Sequence, residues 1–232
     1  MNDNRSAFLT SVARALGREP RREPAPRPEP VNDYPQTRLS ELSLQQRCDA
    51  FIDFASSVMQ MRCELAPAAQ AADAALHLCE CYGGQPVIVS GDARLAELGI
   101  TARLRDACGA AVWDPARGEE NLALAARAKI GVTFAEYGLT ESGGVVLFSG
   151  PERGRALSLL PETSLFVLKK STILPRVAQL ASRLHQMAQA GERMPSCINL
   201  IGGPSSTADI ELIKVIGVHG PVNAACLIVE DR

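Results

Sequence analysis

An α/β fold, built on a mostly parallel sheet flanked by helices, is predicted by three features of this sequence. Apolar runs of strand length recur along the chain, as in Pro86-Val-Ile-Val-Ser90 and Ala225-Cys-Leu-Ile-Val229. Segments of helical period alternate with them. Gly and Pro punctuate the junctions, as at Gly83-Gly84 and Gly191. Continuous apolar runs, rather than strict alternation, mark strands buried on both faces, and strand–helix alternation places such strands in a parallel sheet.

The elements follow in order. Residues 4–17 carry Phe8, Leu9, Val12, Ala15 and Leu16 on one face of a predicted helix that Gly17 stops. The next thirteen residues, Arg18 to Pro30, include five prolines interleaved with charge, which predicts an extended solvated linker. The expected organisation is an N-terminal helix over 1–17, a linker over 18–38 and one α/β domain over 39–232. Within that domain residues 41–60 and 67–82 read as helices, with short helices over 95–98 and 102–107. An Ala-rich helix is predicted over 119–127 and a long amphipathic one over 173–190. Strands are predicted over 86–90, 111–113, 129–135, 144–148, 164–168, 198–201 and 225–229, with a further helix between the last two.

Composition narrows the function classes. The chain has 232 residues, 46% of them hydrophobic, with 24 Lys and Arg against 26 Asp and Glu. A net charge of −2 gives no basic excess for nucleic acid or an anionic membrane. No apolar run reaches the roughly 18–20 residues of a membrane span. The N-terminus lacks the apolar core of a secretion signal, so a cytoplasmic location is expected. Seven Cys at 48, 63, 79, 81, 108, 197 and 226 form no CxxC, so no metal or iron–sulfur ligand set is expected in this chain and reduced thiols are.

Three loops have the residue types for chemistry. Ligands of such a sheet bind outside the carboxyl ends of strands. The first loop, in Gly131–Gly144, contains two acids and several glycines. Glu141 there is a candidate base, nucleophile or hydrogen-bond acceptor, beside Ser142 and Gly143; a β-turn with a solvated carboxylate is the plainer reading. The second, Gly202-Gly-Pro-Ser-Ser-Thr-Ala-Asp-Ile-Glu211, reads as the start of a helix capped by Ser206 with Asp209 three residues on. Gly203, Ser205, Thr207 and Glu211 are candidate ligand-binding residues, since free N–H groups at a helix start attract anions. It has neither the GK[ST] of a P-loop nor the GxGxxG of a dinucleotide turn. The third, Val215–Pro221, places His219 between glycines, where it suits proton transfer near neutral pH or a structural hydrogen bond. Asp209, Glu211 and His219 do not match a recognised metal-ligand spacing. If the topology gathers these loops, Glu141, Asp209 and His219 are the catalytic candidates of one polar cleft.

At these residues the chain resembles the lactate-utilisation protein C (LUD-domain) family. Gly131–Gly144 is similar to the family stretch G-x-T-x-A-x-x-G-(I/L)-x-E-(T/S)-G, and Gly150–Pro161, with Arg155 and Leu159-Leu160-Pro161, to R-x-x-S-L-L-P. Gly203–Glu211 is similar to G-P-S-x-T-A-D-I-E, and Gly217–Pro221 to G-x-H-G-P. The four stretches fall in the family's order across about residues 129–230. Ser206 stands where many relatives carry Arg or another residue, and Ser142 replaces the commoner Thr while keeping a hydroxyl. The resemblance implies a fold related to the NagB/RpiA/CoA-transferase group. It also implies a part in oxidising L-lactate to pyruvate, beside partner subunits that carry the iron–sulfur clusters. It leaves open whether the cleft holds a small carboxylate. The alternatives are a stand-alone CoA-transferase-like enzyme with Glu141 as nucleophile, and a regulatory protein that binds a small anion.

Overall fold

The computed structural model describes residues 2–231 except 22, 27 and 209–212. Contacts divide the chain into two compact units, Met1–Asp33 and Tyr34–Arg232. The first contains α1 (Asn2–Ala15) and an irregular proline-rich stretch. Phe8, Leu9, Val12 and Leu16 of this unit are exposed, and Ala13 is buried.

The second unit runs α2 (Tyr34–Thr37), α3 (Leu44–Ser57), β1 (Met61–Pro67), α4 (Ala71–Cys81), β2 (Val87–Val89), α5 (Ala93–Glu97) and α6 (Ile100–Cys108). It continues through β3 (Ala111–Val112), α7 (Glu120–Arg127), β4 (Ile130–Ala135), β5 (Tyr137–Leu139), β6 (Gly144–Phe148), α8 (Ala156–Leu159) and β7 (Thr163–Lys169). The last elements are β8 (Ile173–Leu174), α9 (Val177–Gln189), β9 (Ile198–Ile201), β10 (Ser206–Ala208), β11 (Lys214–Ile216) and β12 (Asn223–Glu230).

Six strands form one sheet in the order β1-β12-β7-β4-β2-β3, and every neighbouring pair is parallel. The predicted α/β class is therefore the observed one. Alternate residues of each strand point to opposite faces, and both faces are apolar. Val89, Ile130, Val132, Leu165, Val167 and Leu227 pack with residues of α4, α5 and α6, among them Leu78, Leu95 and Leu104. On the other face Phe166, Leu168, Cys226 and Ile228 meet Phe51 and Ala55 of α3 and Val145 and Leu147 of β6. Ile88 packs with Ala125 and Leu157, from α7 and α8. This burial on both sides is why the strands read as unbroken apolar runs.

Several boundaries differ from the sequence expectation. Residues 61–67 form strand β1 in place of a helix or junction. Ser43 and Gln46 do close a capping box on α3, but Gln60 takes a φ of 56° and the chain leaves the helix. As an edge strand, β1 carries Arg62 and Glu64 among its apolar residues, so its pattern is mixed. The long helix begins at Val177 rather than 173, because the residue before Pro175 is held out of helical geometry, and Ile173–Leu174 pairs with β5 instead. β8, β5, β6 and β9 form a second, largely antiparallel sheet. Its outer face, Leu139 and Val146, is covered by Leu180 of α9.

The expected helix at Ser206 is absent from the described residues. Ser206–Ala208 is extended and pairs antiparallel with Lys214–Ile216. β-branched Thr207, Val215 and Ile216 suit a pleated surface better than a helix. Ser206 is thus a strand residue, not a cap. Asp209 and Glu211 lie outside the described residues.

Candidate functional site

The carboxyl ends of β2 and β4 are adjacent because these strands pair. Beyond β2 stand Ser90, Gly91 and Asp92; beyond β4 stands Glu136. Asp92 caps α5, accepting from the backbone N–H of Arg94 at 3.0 Å. The Arg94 guanidinium forks between two carboxylates, with Nη2 2.6 Å from Asp92 Oδ2 and 2.6 Å from Glu136 Oε1. Arg153 reaches the same Glu136 oxygen at 2.6 Å. Arg94 also lies over the Phe134 ring, 4.1 Å from its centroid, a favourable cation–π position. Burial pushes the Asp92 carboxyl up, but hydrogen bonds from Arg94 and the charges of Arg94 and Arg153 outweigh it and hold the group below the ordinary carboxylate range. The same carboxylates raise the Arg94 pKa against its own burial.

The segment between β6 and α8 is clamped over this edge. Ser90 Oγ donates to the Glu152 carbonyl at 3.0 Å. Trp113 Nε1 donates to the Pro151 carbonyl at 2.9 Å, and Gly154 lies so close on the Trp113 ring that a Cβ would overlap it. This fixes Arg153 and Arg155 beside one small cavity, and Arg153 beside an open cleft as well. An open cleft of about 510 Å³ is lined by Arg94, Glu136, Arg153 and, from α9, Arg183 and Gln186. Phe148 and Arg153 also line a small cavity with Ser90, Thr133, Ser149 and Asn199. Ser158 lines both that cavity and a third space of about 260 Å³.

This third space brings together Gly203, Ser205 and His219. Ser205 N–H donates to the Pro221 carbonyl at 2.8 Å, and Gly217 N–H to the Ser205 carbonyl at 2.8 Å. Gly203 has a φ of 74° and packs where a Cβ would overlap the Met59 carbonyl; only glycine fits there. Ser164 and Pro221 place this space at the amino ends of β7 and β12, not at the carboxyl edge where ligands were expected. The reason is that the loop after β9 leaves the second sheet, not the parallel one. Thr207 is exposed on β10.

Glu141, Ser142 and Gly143 stand apart from that space in the β5–β6 turn. Ser142 Oγ accepts from the Gly144 N–H at 3.4 Å, and Gly143 packs against the Ala55 backbone of α3. Glu141 Oε1 accepts from the Val177 N–H at 2.7 Å, and Oε2 lies 2.8 Å from Arg176 Nε. Both oxygens are therefore engaged at the start of α9, so the single cleft joining Glu141 to His219 does not form. Replacing Glu141 by Ala removes the cap of α9 and is expected to cost about 1–2 kcal/mol of stability, with Glu141→Gln losing less; urea titration reads the order.

Sequence reasoning passed over the carboxyl-edge network. The signal was present: Ser90-Gly91-Asp92 directly follows an apolar strand, and Glu136 was one of the two acids in the first loop. The thiols are dispersed. All seven cysteines are unpaired, and among the described residues no three His, Cys, Asp or Glu side chains converge as metal ligands. Burial pushes the Cys63 thiol up to about 11 and the Cys79 thiol up to about 12, and Cys226 rises well above its ordinary value. Only the thiolate reacts readily, so exposed Cys81 is expected to give the fastest phase of thiol labelling in the native protein. Cys81→Ser removes that phase, and unfolding releases the protected thiols.

The fold and these cavities define an α/β protein built on a parallel sheet, and no helix among the described residues is long and apolar enough to cross a membrane. Comparison with known proteins makes the class specific. The LUD domain family model matches residues 54–229, and this chain belongs to the LUD domain family. It is 67% identical to the protein YkgG of Escherichia coli (strain K12) over 99% of both chains. It is 42% identical to the lactate utilization protein C of Geobacillus kaustophilus (strain HTA426) and 38% identical to that of Bacillus subtilis (strain 168). Each match covers 99% of this chain and 97% of the relative. Among solved structures, a DUF162 family protein from Deinococcus radiodurans superposes with a TM-score of 0.56 at 18% identity, over 81% of this chain and 99% of that one, which shows a shared fold.

Proposed function

We propose that this chain is a component of a lactate-utilisation system that oxidises L-lactate to pyruvate, and that it works beside iron–sulfur partner subunits without binding a cluster itself. The observation that carries this reading is the near end-to-end match to relatives named lactate utilization protein C. The dispersal of the thiols supports the division of labour, since a cluster needs several thiolates at one point.

The test is a deletion strain that lacks any other lactate dehydrogenase. Growth on L-lactate is expected to fail and to return when the gene is restored. Affinity purification of the tagged chain from lactate-grown cells is expected to bring down iron-containing protein with lactate-oxidising activity. Normal growth of the deletion strain would overturn the role, and an iron-free eluate would overturn the partnership.

A further inference from the structure

We propose that the open cleft at the carboxyl ends of β2 and β4 binds a nucleotide-type ligand, with its phosphate on Arg153 and Arg183 and its ring against Tyr137 and Phe148. Sheet order chooses the place. From β2 the chain moves outward to β3, whereas from β4 it moves the other way, to β7 and then β12. Strand order therefore reverses between β2 and β4, which are themselves paired. The connections leave to opposite faces. After β2, α5 and α6 pack on the face of Val89 and Val132; after β4, α8 packs on the face of Ile88. A parallel sheet opens a crevice at such a reversal, and ligands of α/β proteins bind there. The cleft is lined from both sides of the reversal, by Arg94 of α5 and by Glu136 beyond β4.

The charges define what the crevice accepts. Arg94 is fully committed: Nε and Nη2 donate to Asp92, and Nη1 and Nη2 to Glu136. Arg153 gives only Nη1 to Glu136, and its Nε and Nη2 have no acceptor among the described residues. Arg183 of α9 forms no ion pair among the described residues. The cleft is thus lined by two guanidiniums, from separate segments, with donors to spare. A carboxylate has two oxygens, which one guanidinium fork satisfies; a phosphate has three and can accept from two forks. Gln186 and Glu192 also line the cleft and offer acceptors to hydroxyl groups of the same ligand.

Size and the apolar lining supply the rest. The cleft volume is about 510 Å³, within the roughly 300–1,000 Å³ of small-molecule sites. Tyr137 and Phe148 line it, and their rings meet edge to face with centroids 6.1 Å apart. A planar base gains from contact with such rings, whatever its identity. The site rests on the cleft and the sheet order alone, and not on the proposed role in lactate use.

Calorimetric titration of the full chain with ADP and FMN tests the assignment, with inorganic pyrophosphate as the ring-free probe. One saturable site is expected for at least one nucleotide, with pyrophosphate at least about 5-fold weaker, the low end for loss of base stacking. Arg183→Gln should weaken nucleotide binding by about 10- to 100-fold, the range for hydrogen bonds to a charged group. Arg183 is exposed and unpaired, so the ligand-free variant should melt with the parent. Arg153→Gln also breaks the bond to Glu136, so its melting temperature is read beside its affinity. Tyr137→Leu should weaken the nucleotides and leave pyrophosphate unchanged. Binding of neither nucleotide, or binding undiminished in Arg183→Gln, overturns the site. Pyrophosphate binding as tight as that of the nucleotides overturns the assignment to a ring-bearing ligand. Growth of a deletion strain on L-lactate reads the role separately: its outcome leaves nucleotide binding untouched, and the converse holds.

Discussion

Replacing Gly131 with alanine is expected to destabilise the protein by about 3 kcal/mol, at the upper end of what overpacking a tight interior costs. Gly131 lies inside β4, paired with Ile88 and Ser164, and a Cβ there would overlap the Leu157 carbonyl oxygen and approach Pro161 at 2.8 Å. The obstacle is backbone, which cannot rotate away. Either α8 lifts from the sheet or β4 moves within a six-stranded array. Lifting α8 also opens the small cavity that Ser158 and Thr133 line. Gly150→Ala is the control: its Cβ would meet only the flexible Arg153 side chain, at 3.5 Å, and a change of within about 0.5 kcal/mol is expected. Urea unfolding of both variants reads the difference. Equal midpoints would mean that α8 does not sit on β4 as described.

Arg94→Met should produce an effect of similar size at neutral pH, about 3 kcal/mol, the low end for breaking a buried ion pair because the Arg94 side chain remains 29% exposed. The change strands the Asp92 carboxylate, 6% exposed, with Arg153 at 3.9 Å as its remaining cation. The pH dependence follows from the direction of the Asp92 shift. Its pKa in the parent lies below the ordinary 3.8, so the pairing stabilises the fold above that value and is lost as pH falls through the lower, folded value. In Arg94→Met the main cause of the depression is gone and burial dominates, which reverses the direction. The variant's deficit should therefore be largest near pH 7 and shrink on acidification toward pH 4. A deficit independent of pH would place the cost in lost packing on Phe134 rather than in the stranded charge. A double-mutant cycle with Asp92→Asn isolates the pair: the second change should cost much less in the Arg94→Met background than in the parent.

The interior strands were legible because they are buried on both faces. Val87–Val89, Ile130–Ala135 and Thr163–Lys169 each show in the sequence as an apolar run, and each lies within the parallel sheet. The edge and the hairpin were not. β1 has one neighbour, β12, so its charged residues stay at the surface and break the pattern. Ser206–Ala208 carries residues as suitable for a helix cap as for a strand, and only its pairing with Lys214–Ile216 decides between them. The same limit applies to the sites. Gly203, Ser205 and His219 meet because their loops are joined by backbone hydrogen bonds over a short span of chain. Asp92, Arg94, Glu136 and Arg153 meet only because β2 and β4 are neighbours, and strand order is a global property that no local spacing encodes. Glu141 was visible as an acid in a glycine-rich turn; what it faces, the start of α9, depends on how β8 pairs with β5.

The position of β12 has a consequence for how the protein is made. This strand lies between β1 and β7, with Met61 opposite Ala224 on one side and Thr163 opposite Asn223 on the other. Every other strand of the sheet leaves the ribosome before it. Until β12 emerges, β1 has no neighbour in the sheet, β7 presents an open edge, and the apolar faces beside Cys226 and Ile228 lack their central strip. Growing chains add about 5–20 residues per second and tend to fold from the N-terminus, so the nascent chain spends seconds with an unpaired parallel edge, the condition under which strands pair with the wrong partner. A chaperone that shields that edge during synthesis would therefore affect the yield of this protein more than that of a fold whose central strand is made first.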